Sequence, residues 1–308
     1  MNSIKLSPDQ RATALAGDDD ERSVVVDGVR QVYRVVGEGP VCLVHSGGPG
    51  VDPQYLRIPA LESRLTMVYV DPVGSGESDL LPDGDYSLSR YASFARSVLD
   101  ELGVPKAYFL GHSHGGFVGL QFGIDFPDRL DGLILYDTSP QWTQELTDTA
   151  TKEMAAFVQR WPDRPEAAEA GRLWEAAHAA DSVDTNDFES HQRFLTGILP
   201  AYFADYRKTV ERIGAAPTIG LTHDPNRLPV EWDVRGQLRA IDVPALVIVG
   251  TYDFICAPRF AYEIQTGLPD ARLVELRDSG HFGHVEEPDA FAEAVVDFIY
   301  DIKAGERA

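Results

Sequence analysis

The chain predicts an α/β architecture: a mostly parallel sheet with helices packed on both faces. Three observations carry this expectation. Short runs that are apolar throughout recur along the sequence, such as Val41-Cys42-Leu43-Val44 and Leu133-Ile134-Leu135-Tyr136, and strands of that kind are buried on both sides. Stretches with helical spacing lie between them, and alternation of β and α segments implies parallel strands joined by crossover helices. One long stretch, residues 139–235, breaks the alternation and contains no β-rich run.

The elements follow in order. Residues 1–23 are polar, include Asp18-Asp19-Asp20-Glu21, and read as a loose arm. Val24-Val25-Val26 and Val29 to Val36 flank Asp27-Gly28, a hairpin signal. Val41 to Val44 is a strand followed by the turn-rich Ser46-Gly47-Gly48-Pro49-Gly50, and Met67 to Val70 is another, followed by Gly74-Ser75-Gly76. Tyr91, Phe94, Val98, Leu99 and Leu102 fall on one face of a helix over 87–102. Ala107 to Leu110 is a strand, Gly115 to Phe126 a helix stopped near Pro127, and Leu133 to Tyr136 a strand. Later, Ala245 to Val249 and Leu273 to Leu276 are strands and Ala290 to Tyr300 a helix. Within 139–235, Lys152 to Trp161 and Glu166 to Ala180 are helical, and Phe188 to Tyr206 is so in part. The chain thus divides into a core, 1–138 and 236–308, and a helical insertion, 139–235. That insertion is expected over the C-terminal ends of the strands, where open α/β sheets bind ligands.

Composition narrows the function classes. Of 308 residues 44% are apolar, enough for a core, and 49 acidic against 27 basic residues give a formal charge of −22. Such acidity argues against nucleic acid, whose phosphates need Lys and Arg, and against an anionic membrane surface. It reads as a solvated, self-repelling surface. Two cysteines, Cys42 and Cys256, cannot build a disulfide framework or a four-thiolate metal site. Met1 to Glu21 lacks the basic start and apolar stretch of a signal peptide. No run approaches the ~18–20 apolar residues of a membrane span. A cytoplasmic protein is expected, with neither metal nor cofactor.

The sharpest signal is Gly111-His112-Ser113-His114-Gly115, between a strand and a helix. A Gly-x-Ser-x-Gly match arises by accident on the order of 0.1 times in a chain of this size, and the strand–turn–helix context is the one that gives it meaning. A serine at such a turn is exposed on a strained backbone, and the helix start behind it points N–H groups at developing negative charge. A serine hydroxyl needs a base, normally a histidine held by a carboxylate. Of eight histidines, His281, in Asp278-Ser279-Gly280-His281 after a late strand, is the choice, with His284 as competitor. His112 and His114 flank the serine and shape the pocket; His178, His191 and His223 read as surface or core histidines. The orienting acid is Asp253, after the strand ending at Val249, with Asp137 as the alternative; Asp253 gives the chain order Ser…Asp…His. The oxyanion donors are the N–H of His114 and that of Gly48, with Gly47 next. The missing P-loop lysine argues against nucleotide binding at the Gly-rich turn.

Together these residues resemble the α/β-hydrolase fold and, within it, the prolyl iminopeptidase family. That family's His-Gly-Gly-Pro-Gly turn is similar to Ser46-Gly47-Gly48-Pro49-Gly50. Its Asp-Gln-Arg-Gly-x-Gly-x-Ser segment resembles Asp71-Pro72-Val73-Gly74-Ser75-Gly76-Glu77-Ser78. The elbow serine, late acid and Ser-Gly-His segment fall at Ser113, Asp253 and His281. The resemblance implies that 139–235 is a helical cap. It also implies a cap carboxylate shortly before an aromatic pair, binding a substrate amine. Here the pair is Tyr202-Phe203, and residues 190–201 hold no Asp or Glu. Glu189, Asp205, Glu211 and Asp224 stay open as that carboxylate. Trp142, Trp174, Tyr202, Phe203, Trp232 and Cys256 are expected to line an apolar pocket or to pack the cap.

The resulting expectation is a serine hydrolase that cleaves a small ester, lactone, amide or N-terminal aminoacyl bond through an acyl-enzyme. The substrate is a small molecule or short peptide. A carboxylesterase or lactonase without aminopeptidase activity is the alternative. A non-catalytic ligand-binding protein of the same fold is the reading from another class.

Overall fold

A computed structural model of the protein describes residues 21–179, 188–215 and 219–305. The strands are β1 (Glu21–Val26), β2 (Val29–Val36), β3 (Val41–His45), β4 (Thr66–Val70), β5 (Ala107–His112), β6 (Leu130–Tyr136), β7 (Gln141–Trp142), β8 (Trp232–Asp233), β9 (Ala245–Gly250) and β10 (Ala271–Leu276). The longer helices are α1 (Leu88–Glu101), α2 (His114–Asp125), α3 (Gln144–Arg160), α4 (Pro165–Ala177), α5 (Phe188–Ile198), α6 (Tyr206–Ile213), α7 (Pro258–Gly267) and α8 (Pro288–Gly305). Eight strands form one sheet in the order β1-β2-β4-β3-β5-β6-β9-β10, and β7 pairs with β8 apart from it. β1–β2 and β2–β4 are antiparallel; the remaining pairs are parallel.

The apolar runs are explained by period-two alternation into two cores. Leu43, Val68, Phe109, Leu135 and Val247 point to one face, with Phe94 of α1, Phe117 of α2 and Phe260 of α7. Cys42, Met67, Leu110, Ile134 and Ile248 point to the other, with Phe291, Val295 and Ile299 of α8. Neither face of a middle strand meets water along most of its length, so its central positions are apolar. Each such side chain contributes about 1.5–3 kcal/mol of burial.

Several boundaries differ from expectation. Glu21, Arg22 and Ser23 are not arm but the start of β1, paired with Arg34, Tyr33 and Val32. The edge of β2 offers free ladder groups that this segment satisfies. The rest of the expected arm lies outside the described residues, as does Ala180. β5 continues through Gly111 and His112, which pair with Leu135 and Tyr136. α3 begins at Gln144, before the expected Lys152, behind Thr143, whose hydroxyl accepts from the Glu145 N–H at 3.3 Å. Helix α7 carries only a short apolar pattern, Phe260, Ala261 and Ile264, and was not expected.

Between β6 and β9 the chain leaves the sheet. Met154, Phe157, Trp174 and Ile198 from α3, α4 and α5 pack together and reach down to Phe254. Among the described residues no helix is long and apolar enough to cross a membrane.

Candidate active site

Ser113 sits between β5 and α2 with φ 55° and ψ −121°, a conformation that L-residues rarely adopt. Such strain costs on the order of 1–3 kcal/mol and persists only where neighbours over-determine it. Here the Ser113 N–H donates to the Tyr136 carbonyl (3.0 Å), and its own carbonyl accepts from the Gly116 N–H (2.9 Å) and the Thr138 hydroxyl (2.7 Å). A Cβ on Gly111 would strike the Gly115 carbonyl, and one on Gly115 the carbonyls of His45 and Ser46. The two glycines of the motif are therefore required by close approach of strand, helix and the Gly-rich turn.

His281 lies after β10. Its loop is pinned by Gly280 N–H to Glu286 (2.7 Å) and by His281 N–H to the Tyr202 carbonyl (2.7 Å). His281 Nδ1 is 2.8 Å from Asp253 Oδ2. A carboxylate only accepts, so Nδ1 carries the proton and the lone pair is on Nε2. The other oxygen of Asp253 accepts from the N–H groups of Ile255 (2.9 Å) and Cys256 (3.0 Å). Ser113 and His281 line one cavity of about 410 Å³. The Ser113 side chain meets the Cys256 thiol, which burial and the nearby Asp253 and Asp137 push well up, so it stays protonated. No hydrogen bond joins Ser113 to His281 among the described residues; such contacts tighten when substrate fills a site.

His112 was expected only to shape the pocket, and its bonds are more specific. Its Nε2 lies 2.9 Å from the His281 carbonyl and must donate, so its Nδ1 accepts from the Tyr55 hydroxyl at 2.6 Å. The same Tyr55 oxygen accepts from the Gly47 N–H at 2.7 Å. Gly47, the second candidate oxyanion donor, is thereby set aside. The N–H groups of Gly48 and His114 donate to no described residue. Gly48 has φ 133°, and a Cβ there would come within 2.9 Å of the Gly50 nitrogen. Gly48→Ala is therefore expected to tilt this turn and to lower kcat by about 10²–10³-fold, the usual loss of one oxyanion donor. Steady-state rates check this, with a thermal melt showing that the variant stays folded at the assay temperature even though strain at this φ lowers its melting point. Tyr55 was missed in the sequence because a tyrosine in a loop carries no periodic or motif signal.

Burial keeps the surrounding histidines neutral. His284 is pushed down to about 4, with its nitrogens 3.0 Å from the Tyr136 hydroxyl and the Tyr55 carbonyl, which fits structure and not base duty. His45 is also pushed down to about 4 by burial. His114 is held well below its ordinary range by burial, then by His45 and Arg227.

Residues 39–288 match the family of the alpha/beta hydrolase fold. The chain belongs to that family. The hydrolase is similar to a proline iminopeptidase of Saccharolobus solfataricus, 28% identical over 285 residues that cover 87% of each chain. It is also similar to a 2-hydroxymuconate semialdehyde hydrolase of Pseudomonas putida, 26% identical over 92% of this chain and 95% of that one. The enol-lactonase from Burkholderia xenovorans superposes with a TM-score of 0.67 over 91% of this chain and 100% of that one, at 23% identity, a likeness of fold.

The cavity of this α/β hydrolase is lined by Gly48, Trp142, Tyr202 and Cys256, and also by Phe117, Leu146, His191, His223 and Phe282. His191 and His223, both half-buried, border this cavity. Phe203 and Trp232 are off the cavity. Phe203 packs on Phe282 at 5.2 Å. Trp232 stacks on Phe117 at 5.5 Å and donates to Gln121 at 2.9 Å. Trp174 stacks on His178 within the helical segment. Among the four carboxylates left open, Asp224 lines the cavity. Asp205 is held by Arg164 at 2.7 Å. Asp224 accepts from the Tyr86 hydroxyl (2.7 Å) and the Asn226 N–H (2.8 Å). Arg227 stacks 3.6 Å over Tyr86 beside it and donates to the Tyr91 hydroxyl at 2.9 Å. Among the described residues the cavity thus carries one carboxylate and one guanidinium in a largely apolar and histidine-rich wall.

As ligand sets for a metal, His112, Asp137 and His281, or Asp253, Cys256 and His281, bring donor atoms within 4.8 Å of one another. Most of these atoms are already engaged: both nitrogens of His112 and Nδ1 of His281 hold hydrogen bonds.

Proposed function

We propose that this protein is a serine hydrolase that opens a small ester, lactone, amide or aminoacyl bond through an acyl-enzyme. The observation that carries the reading is one cavity holding Ser113 on a strained elbow, His281 oriented by Asp253, and the free N–H groups of Gly48 and His114. Ser113 Oγ attacks the acyl carbonyl while His281 Nε2 takes its proton, and Asp253 stabilises the imidazolium that forms. The two N–H groups receive the oxyanion. His281 then returns the proton to the leaving group, and activates the water that releases the acyl group. The volume of about 410 Å³ suits a small molecule or a short peptide end.

An aminoacyl substrate is favoured by one specific observation, the buried Asp224 on the cavity wall, since a desolvated ammonium needs a carboxylate partner. Arg227 beside it opposes a cation and favours the esterase or lactonase reading. A panel of proline and other aminoacyl anilides, short p-nitrophenyl esters and acyl lactones separates the two. Esters or lactones are expected to turn over in the wild type and not in Ser113→Ala. Preferred cleavage of anilides with a free amine, lost in Asp224→Asn, would support the aminopeptidase reading.

A further inference from the structure

Asp137, at the end of β6, has no part in the mechanism above. It is fully buried, and it holds φ 45°, one of three positive values among the described non-glycine residues. Its Oδ1 accepts from the Gly250 N–H at 2.7 Å, and its N–H donates to the Ile248 carbonyl at 2.9 Å. Its Oδ2 is buried with no partner at ordinary hydrogen-bond geometry among the described residues, and the neighbouring Tyr136 hydroxyl is the one side-chain donor that acts on the carboxyl. A carboxylate oxygen of Asp137 and one ring nitrogen each of His112 and His281 lie within 4.8 Å of one another. A buried carboxyl oxygen without a well-placed partner is unfavourable, so its presence beside two histidines calls for a reason.

We propose that Asp137 is a reserve carboxyl of the catalytic centre, a positioning residue that acts through His281 and takes over its orientation when the Asp253 carboxylate is removed. This rests on the serine-hydrolase reading. The groups facing Asp137 are Asp253 and Cys256 from the loop after β9, His281 and Glu286 from the segment after β10, His112 from β5, and Tyr136 on its own strand. Burial and then the like charge of Asp253 push its carboxyl well up. Both effects favour the neutral acid, which leaves His281 to Asp253 in the wild type. Removing the Asp253 charge lets Asp137 ionise at lower pH and present a carboxylate to Nδ1–H.

The test measures the rate of Ser113 labelling by a fluorophosphonate in the wild type, Asp137→Asn, Asp253→Asn and the double variant, which needs no known substrate. Asp253→Asn is expected to lose at most about 10²-fold, and the double variant about 10⁴-fold, the loss typical of a triad without its acid. Asp137→Asn alone is expected to lose less than about 10-fold, so the pair is strongly non-additive. In Asp253→Asn the rate is expected to keep rising with pH as Asp137 ionises, with that rise absent from the double variant. Additive losses, or the same pH profile in both, would overturn the proposal. Should Asp137→Asn fail to fold, the Asp253→Asn profile decides alone: no rise with pH beyond the wild-type profile overturns it. A wild type that does not label overturns the serine-hydrolase reading itself, whereas a labelled wild type with additive variants overturns only the reserve carboxyl.

Discussion

Ser113→Ala is expected to lower kcat by about 10⁶-fold, the scale on which loss of an activated nucleophile removes the covalent route. The fold should be unaffected. The strained turn is held by main-chain bonds to Tyr136 and Gly116 and by the Thr138 hydroxyl on the Ser113 carbonyl, none of which involves Oγ. Alanine also keeps the Cβ that already fits beside Gly47, where a Cβ on the glycine would come within 3.0 Å of the Ser113 Cβ. The measurement is turnover of the best substrate in the panel alongside a thermal melt. Residual activity within tenfold of wild type, with an unchanged melt, would mean that another group attacks the substrate.

His281→Ala is expected to cost nearly as much, and Ser113→Ala/His281→Ala no more than either single change. Residues that act as one unit give losses that do not add. The imidazole is held by Asp253 at 2.8 Å, and its loop by Glu286 and the Tyr202 carbonyl. The vacated ring position is bordered by His112, 4.5 Å away between ring centroids. His112 cannot replace the base, because its Nδ1 lone pair accepts from Tyr55 and its Nε2–H is committed to the His281 carbonyl. A double variant slower than both singles by the product of their effects would contradict the shared mechanism.

The fold was readable because the middle strands carry unbroken apolar runs, and the structure divides that apolarity between two cores. The elbow was readable because close approach demands glycine at 111 and 115, so a steric need is written as residue type. Asp253 and His281 were reachable because each follows a recognisable strand and so arrives at one end of the sheet. What bonds to what within that edge was not readable. Gly47 and Gly48 are identical in sequence, and only the Tyr55 hydroxyl, eight residues on, separates their N–H groups. The cavity wall was read in part. Trp142 and Tyr202 reach it, whereas Phe203 and Trp232 turn to Phe282 and Phe117, because helical segments with weak periodicity do not fix which face meets the sheet. Asp224 became distinct from Asp205 only through tertiary partners, Tyr86 for the one and Arg164 for the other.

The most direct test of the central claim is peptide mapping by mass spectrometry after reaction of the folded protein with a fluorophosphonate. One adduct per chain is expected, on Ser113, formed in the wild type and lost in Ser113→Ala and His281→Ala. An adduct on another residue, or no adduct under conditions that label a control serine hydrolase, would contradict it.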